Sequence, residues 1–292
     1  MARLVGLLAA LIIAVSPARG EPPGIRVAVL DYGTVTWELD TIRRLGLDEA
    51  NGFRLEVRGM GGTSAARIAF QGGEADAMVA DWLWVARQRA AGRDYVFLPY
   101  SRAVGGLMVP GDSGARALPD LAGGRIGIAG GPLDKSWLIL RAHALETHGL
   151  DLEAETDQVF AAPPLVMQKA VSGAFDGAIN YWHYQAKMRA RGMRELVGVR
   201  DAAEALGLDP DTPLLGYVLR GEFVEERPEL VAGFARASRA AKARLAEDDA
   251  AWEPLRGRMG AASEAEFEAL RAGFRAGIPE AGPVDRAAAE RM

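Results

Sequence analysis

The 292-residue chain contains no cysteine. That excludes disulfides, thiolate metal sites, cysteine nucleophiles and a lipid-bearing cysteine behind an export signal. Histidine is scarce: only His143, His148 and His183 occur, and no two have the spacing of a metal motif. Basic residues are outnumbered, 34 Lys and Arg against 39 Asp and Glu. A mildly acidic chain lacks the basic face that nucleic-acid binding uses. Beyond the first twenty residues no run is long and apolar enough to span a bilayer, which takes about 20 residues. Aromatics make up only 7% of the chain, so where they fall carries information.

The first twenty residues are different in kind. Arg3 precedes an apolar run over 4–15, and Ala18 and Gly20 occupy the −3 and −1 positions of a cleavage site. This is the pattern of a secretory signal peptide; the run is too short for a transmembrane anchor. Cleavage after Gly20 removes two arginines and no acid, taking the formal net charge from −5 to −7. The remainder is long enough for two domains.

Short β-rich runs then alternate with helical ones, the pattern of an α/β architecture with parallel sheets. Strands are predicted at 25–30, 53–57, 77–80, 95–98 and 106–110 in a first unit. A second unit has strands at 125–129, 177–180 and 214–219, the last near the return crossing. Beyond Pro228 the chain is largely helical, with a capping box at Ser263–Glu266 ahead of an apolar-periodic helix. No segment repeats another. One lobe is expected from 21–108 with 220–292, and the other from 109–219.

Ligands in open α/β sheets bind beyond the carboxyl ends of strands, which directs attention to the turns there. The first is Asp31-Tyr32-Gly33-Thr34-Val35-Thr36-Trp37, where Gly33 permits a tight turn. The second is Gly61-Gly62-Thr63-Ser64, a glycine turn into a helix whose N-terminus favours an anion; Thr63 is expected to cap that helix. It is neither a Walker loop nor a dinucleotide fingerprint. Asp81 and Trp82 follow the third strand. Ser101 and Arg102 follow the fourth, and Arg102 could clamp a carboxylate, sulfonate or phosphate. In the second unit Asp134-Lys135-Ser136-Trp137 opens a helix. A lysine there opposes the helix dipole, which points Lys135 toward an anion or an electrophilic carbonyl. Asn180, Tyr181 and Trp182 follow a strand. Seven aromatics, Tyr32, Trp37, Trp82, Tyr100, Trp137, Tyr181 and Trp182, fall in these turns or first helical turns, favouring a flat, partly apolar ligand.

These motifs in this order resemble the nitrate/taurine/sulfonate class of ABC-transporter solute-binding proteins, which also includes thiamine-pyrimidine binders. The matching runs are G-G-T-S-A at 61–65, Q-G-G-E-A-D-A at 71–77, V-S-G-A-F-D-G-A at 171–178 and E-R-P-E-L-V-A-G-F at 226–234. The resemblance implies a type II periplasmic binding fold, two α/β lobes around a ligand cleft. It implies a monomer in the periplasm, serving an ABC permease of the inner membrane, with no cofactor and no metal. Carried over, the pocket falls on 33–37, Thr63, Ser64 and 135–137. Crowding of the turns by Trp and Tyr fits a small aliphatic ligand such as taurine poorly. The runs W-E-L-D at 37–40 and D-K-S-W at 134–137 resemble proteins that bind pyrroloquinoline quinone. The leading expectation is capture of a small organic anion by hinge closure, without catalysis. The competing ones are a binder of aliphatic sulfonate or thiamine pyrimidine, an enzyme on the same fold, and a periplasmic sensor module.

Overall fold

The run Gly24–Leu30 alternates its side chains between two buried faces, which makes it an interior strand. Ile25, Val27 and Val29 pack with Trp37, Leu39 and Phe53, whereas Ala28 joins Phe70, Met78 and Trp84 on the other face. The computed structural model describes residues 21–280; the expected export signal at 1–20 lies outside them.

In chain order the first lobe contains β1 (Gly24–Leu30), α1 (Val35–Arg44), α2 (Leu47–Ala50), β2 (Arg54–Met60), α3 (Thr63–Gln71), β3 (Ala77–Asp81), α4 (Trp82–Ala90) and β4 (Tyr95–Ser101). The chain crosses over at 102–105. The second lobe contains β5 (Gly106–Pro110), β6 (Arg125–Ala129), α5 (Lys135–His148), α6 (Leu152–Glu155), β7 (Asp157–Ala161), α7 (Pro163–Val171), β8 (Gly177–Asn180), α8 (Trp182–Arg189), β9 (Met193–Gly198) and α9 (Val199–Ala205). The return gives β10 (Leu215–Arg220), α10 (Gly221–Glu226), α11 (Pro228–Glu247), α12 (Arg256–Met259) and α13 (Glu264–Ala276). Ser263 caps α13 by accepting from the Glu266 amide, but the expected capping box is only half formed: the Glu266 carboxylate pairs with Lys187 and Arg191 instead of returning to the Ser263 backbone.

The two sheets have one topology. The first runs β2-β1-β3-β10-β4 and the second β7-β6-β8-β5-β9. In each, four strands run in one direction and a strand next to the crossing inserts antiparallel between two of them, with a register shift at Leu215/Gly216 or Leu107/Met108. The equivalence extends to side chains. Asp76 before β3 accepts from the Arg26 amide at 2.9 Å, and Asp176 before β8 accepts from the Arg125 amide at 2.7 Å. Each follows a left-handed glycine, Gly73 at φ +77° or Gly173 at φ +78°, a backbone conformation that favours glycine. The motifs at 71–77 and 171–178 are therefore one structural device used twice, a repeat that their few shared letters do not reveal.

This topology corrects the expected lobe boundaries. β5 belongs to the second sheet and β10 to the first, so the crossings lie at 102–105 and 211–214. Both strands are interior apolar runs, and nothing in such a run says which sheet it joins. β7 and β9 were not predicted. They are edge strands with polar and half-buried positions, which dilutes the β pattern.

Candidate functional site

A cavity of about 500 Å³ lies between the lobes, walled by strand ends and helix N-termini from both. From lobe 1 come Tyr32, Gly33 and Thr34 after β1, Gly62 at the start of α3 with Thr63, Ser64 and Arg67 on it, Asp81 at the end of β3, and Tyr100 on β4. From lobe 2 come 130–135 at the start of α5, Pro163 of α7, and Tyr181, Trp182 and His183 at the start of α8.

Capping positions the acids. Asp81 accepts from the Trp84 amide at 2.8 Å and Asp134 from the Ser136 amide at 2.9 Å, each meeting an orphan donor of a helix start. Burial pushes the Asp134 carboxyl up; the ammonium of Lys135 opposes that, and the carboxylate of Asp81 adds to it. α3 starts differently. Its N-cap is Gly62 in an extended conformation without a side-chain cap, so Thr63 is the first helical residue and not the cap. The Thr63 hydroxyl instead acts on the Tyr181 phenol of the other lobe, which burial and then Asp134 raise far above its ordinary range.

Two cations reach the cavity from opposite lobes. Lys135 is buried, with its ammonium 5.4 Å from the centre of the Tyr181 ring and no ion-pair partner among the described residues. Arg67 stands one helical turn beyond Thr63, on the same face of α3. Its guanidinium lies 4.0 Å from Asp81 and 5.2 Å from the Trp84 ring centre, and its Nε is buried without a hydrogen bond. Burial lowers its pKa.

At the junction of the lobes His183 is buried, and its ring makes no hydrogen bond of good geometry, the Tyr32 carbonyl giving only a weak contact. Burial, with Lys187 adding, pushes its pKa down to about 3, against the Tyr32 carbonyl. The imidazole is therefore neutral. Behind it α8 is fastened to lobe 1: Lys187 Nζ donates to the carbonyls of Met259 at 2.9 Å and Gly260 at 2.8 Å, and Trp182 meets Trp37 edge-on at 6.0 Å.

Of the sixteen residues picked from the sequence, the cavity brings together Tyr32, Gly33, Thr34, Thr63, Ser64, Asp81, Lys135, Tyr181 and Trp182. The other seven lie elsewhere. Trp37 packs in the lobe 1 core against Trp252 and Phe274, and Trp137 in the lobe 2 core. Trp82 turns to Phe97. Ser101 accepts from the Ala103 amide, and Ser136 is buried. Asn180 is held below β8 by the Pro163 carbonyl at 3.0 Å. Arg102, expected to grip a ligand, bonds Asp211 at 3.1 Å and so joins the two crossing segments. Arg67, Tyr100, Asp134 and His183 complete the wall. Arg67 had a signal in its four-residue spacing from Thr63, and Tyr100 and Asp134 stood in turns already singled out; His183 had none.

A family model described as NMT1/THI5 like matches residues 50–251. The chain belongs to the NMT1/THI5-like family. No curated protein matches it. Among solved structures, it is similar to the alkanesulfonate-binding protein SsuA from Xanthomonas axonopodis pv. citri bound to MOPS, at TM-score 0.73 and 18% identity over 92% of this chain and 89% of that one. It is also similar to the periplasmic aliphatic sulphonate binding protein SsuA from Escherichia coli, at TM-score 0.70 and 17% identity over 92% and 88%. The desulfurization enzyme DSZB matches at TM-score 0.60 and 18% identity over 92% and 90%. At such identities the likeness is one of fold: this NMT1/THI5-like chain has the two-lobed periplasmic binding protein architecture. No helix among the described residues is long and apolar enough to cross a membrane, and no group of three or more His, Asp or Glu among them could hold a metal ion.

Proposed function

We propose that this chain is the solute-binding component of an ABC importer, exported to the periplasm, and that it captures a small organic anion between its lobes. The observation that carries the reading is the pair of cations that opposite lobes present to one cavity, Arg67 and Lys135. An anion between them would couple the lobes and favour the closed state, the hinge mechanism of such proteins. The uncapped N-terminus of α3 adds unpaired amides to that anion pole. Tyr32, Tyr100, Tyr181 and Trp182 supply a wall for a flat, partly apolar body. The sulfonate binders among the similar structures support the class of ligand.

Two cations beside two carboxylates suit a ligand with one anionic group better than pyrroloquinoline quinone, which carries three carboxylates. Binding is favoured over catalysis because burial makes the cleft imidazole, His183, a poor proton acceptor, and no carboxylate is hydrogen-bonded to orient it as a base. The test is calorimetric titration of the exported chain with MOPS, taurine, pyrroloquinoline quinone and a thiamine pyrimidine, with product analysis alongside. The expected result is stoichiometric binding of a sulfonate without turnover, weakened by about 1.5–3 kcal/mol in Arg67→Ala and in Lys135→Ala, the scale of hydrogen bonds to charged groups. Tight binding of the neutral pyrimidine alone overturns the anion, and turnover overturns the binding role.

A further inference from the structure

The cations of the cleft are matched, one for one, by carboxylates on the same walls. Asp81 of lobe 1 and Asp134 of lobe 2 both line the cavity. Each keeps one oxygen on the backbone of the helix it caps. Arg67 lies at the outer limit of an ion pair with Asp81, at 4.0 Å, and its field also reaches Asp134. Lys135 and Asp134 interact as sequence neighbours. The quartet is neutral in formal charge.

That balance restricts what the cleft can close on. A simple anion placed between Arg67 and Lys135 draws both cations to itself and leaves two carboxylates uncompensated in a site that is losing its water. Charges removed from water without partners are costly. Asp81 and Asp134 also oppose each other across the cleft, Asp81 being one of the groups that push the Asp134 carboxyl up. A cationic group on the ligand removes both difficulties. Aromatic rings stand ready beside the acids: Lys135 Nζ already lies over the Tyr181 face, and such a face attracts a ligand cation in the same way.

We infer that the ligand is a zwitterion, whose anionic head lies between Arg67 and Lys135 and whose cationic nitrogen lies between Asp81 and Asp134, beside Tyr181. This rests on the anion-binding function proposed above and narrows it. Asp81 and Asp134 thereby act as specificity-determining residues as well as helix caps.

A pair of compounds that differ only in this charge makes the test: 3-(1-pyridinio)propane-1-sulfonate, a zwitterion with a flat cationic ring, and 3-phenylpropane-1-sulfonate, its nearly isosteric anion. Both are titrated calorimetrically at pH 7.5 into the wild-type chain and into Asp134→Asn. Asparagine caps a helix about as well as aspartate, so this variant removes the charge and keeps the cap; thermal unfolding checks the fold. The zwitterion is expected to bind wild type at least about tenfold more tightly than the anion, the scale of a charge-assisted contact and a desolvated cation–π contact together. Asp134→Asn is expected to weaken the zwitterion about tenfold and to strengthen the anion, two changes of opposite sign. Equal or tighter binding of the phenyl compound by wild type, or a change of the same sign for both compounds, overturns the inference and leaves the anion reading standing. Binding of neither compound overturns the anion reading itself, and the inference with it.

Discussion

The Glu38 carboxylate meets the Lys242 ammonium at 2.7 Å inside lobe 1, where Glu38 is wholly shielded from solvent. The pair is embedded in a hydrogen-bonded network on its other atoms. Glu38 Oε1 accepts from the Tyr217 hydroxyl at 2.8 Å and from the Ser238 hydroxyl at 2.6 Å, and Lys242 donates to Ser238 Oγ at 2.7 Å. The ammonium also lies 4.9 Å from the centre of the Tyr100 ring, whose other surroundings include the cleft. Breaking a buried pair strands the survivor without water or partner. Lys242→Met is therefore expected to cost about 3–5 kcal/mol in urea unfolding, and Glu38→Gln combined with Lys242→Met to recover much of that. A loss under about 1 kcal/mol in the single variant would mean that the Glu38 charge is not held as the geometry indicates.

The duplicated aspartate gives a comparative prediction. Asp76 is buried and holds Arg26 by two side-chain bonds at 2.9 and 2.6 Å, with Arg220 at 3.7 Å. Despite burial, those arginines hold its carboxyl below the usual range. Asp176 does the same backbone work, but it is exposed and has no arginine pair among the described residues. Asp76→Ala should cost about 2–4 kcal/mol, because it strands a guanidinium and an amide, and Asp176→Ala about 1 kcal/mol or less. Similar losses at both sites in chemical unfolding would refute the difference.

Much of the fold was legible in the sequence because strands such as β1 and β6, and a helix cap such as Ser263, write their roles locally. The site was legible only at its turns. Tyr32, Thr63 and Lys135 follow strand ends, and that position alone sends them to the cleft. Trp37 and Trp137 stand in the same kind of first helical turn, yet the helix rotation sends them inward, and no local pattern distinguishes a ring that faces a cavity from one that faces a core. The run at 37–40 illustrates this: Trp37 and Glu38 serve packing, and Asp40 pairs with Arg258 at the surface. Arg102 is decided by Asp211, over a hundred residues away in sequence, and His183 by a lobe junction that exists only after both sheets form.

His183 makes the pH dependence predictable. Its folded-state pKa lies near 3, below the ordinary value of 6.5. The unfolded chain therefore binds the extra proton first as pH falls, so the contribution of neutral His183 is whole above about pH 6.5 and is lost progressively down to about pH 3. The slope approaches about 1.4 kcal/mol per pH unit for one such group. Carboxyls held low, including Asp76, lose stability in the same direction at the acid end, whereas those held high, Asp134 and Glu195, act oppositely. The informative measurement is consequently the difference between wild type and His183→Gln in urea unfolding from pH 7.5 to 4.5. That difference is expected to shrink as pH falls; a constant difference would show that the ring is solvated in the folded state.

Trp182 links the cleft to a place well outside it. One side of the ring lines the cavity, and another meets Gly273 on α13, where an added Cβ would lie 2.5 Å from the ring. Gly273 has an ordinary helical backbone, so glycine is present there for the space it leaves, at a cost of roughly 1 kcal/mol in helix propensity relative to alanine. In an exposed helix Gly273→Ala would stabilise. Here the new methyl must push Trp182 toward the cavity or away from Trp37, a strain of about 1–3 kcal/mol. The expectation is a lowered melting temperature together with weakened binding of a sulfonate probe, although position 273 does not line the cleft. Trp82→Ala provides the contrast: that ring packs on Phe97 outside the cavity, so its loss should lower stability and leave affinity within about twofold, less than 0.5 kcal/mol. A Gly273→Ala protein that is more stable than wild type and binds equally well would show that the Trp182 ring yields freely, and that α13 does not govern the cleft wall.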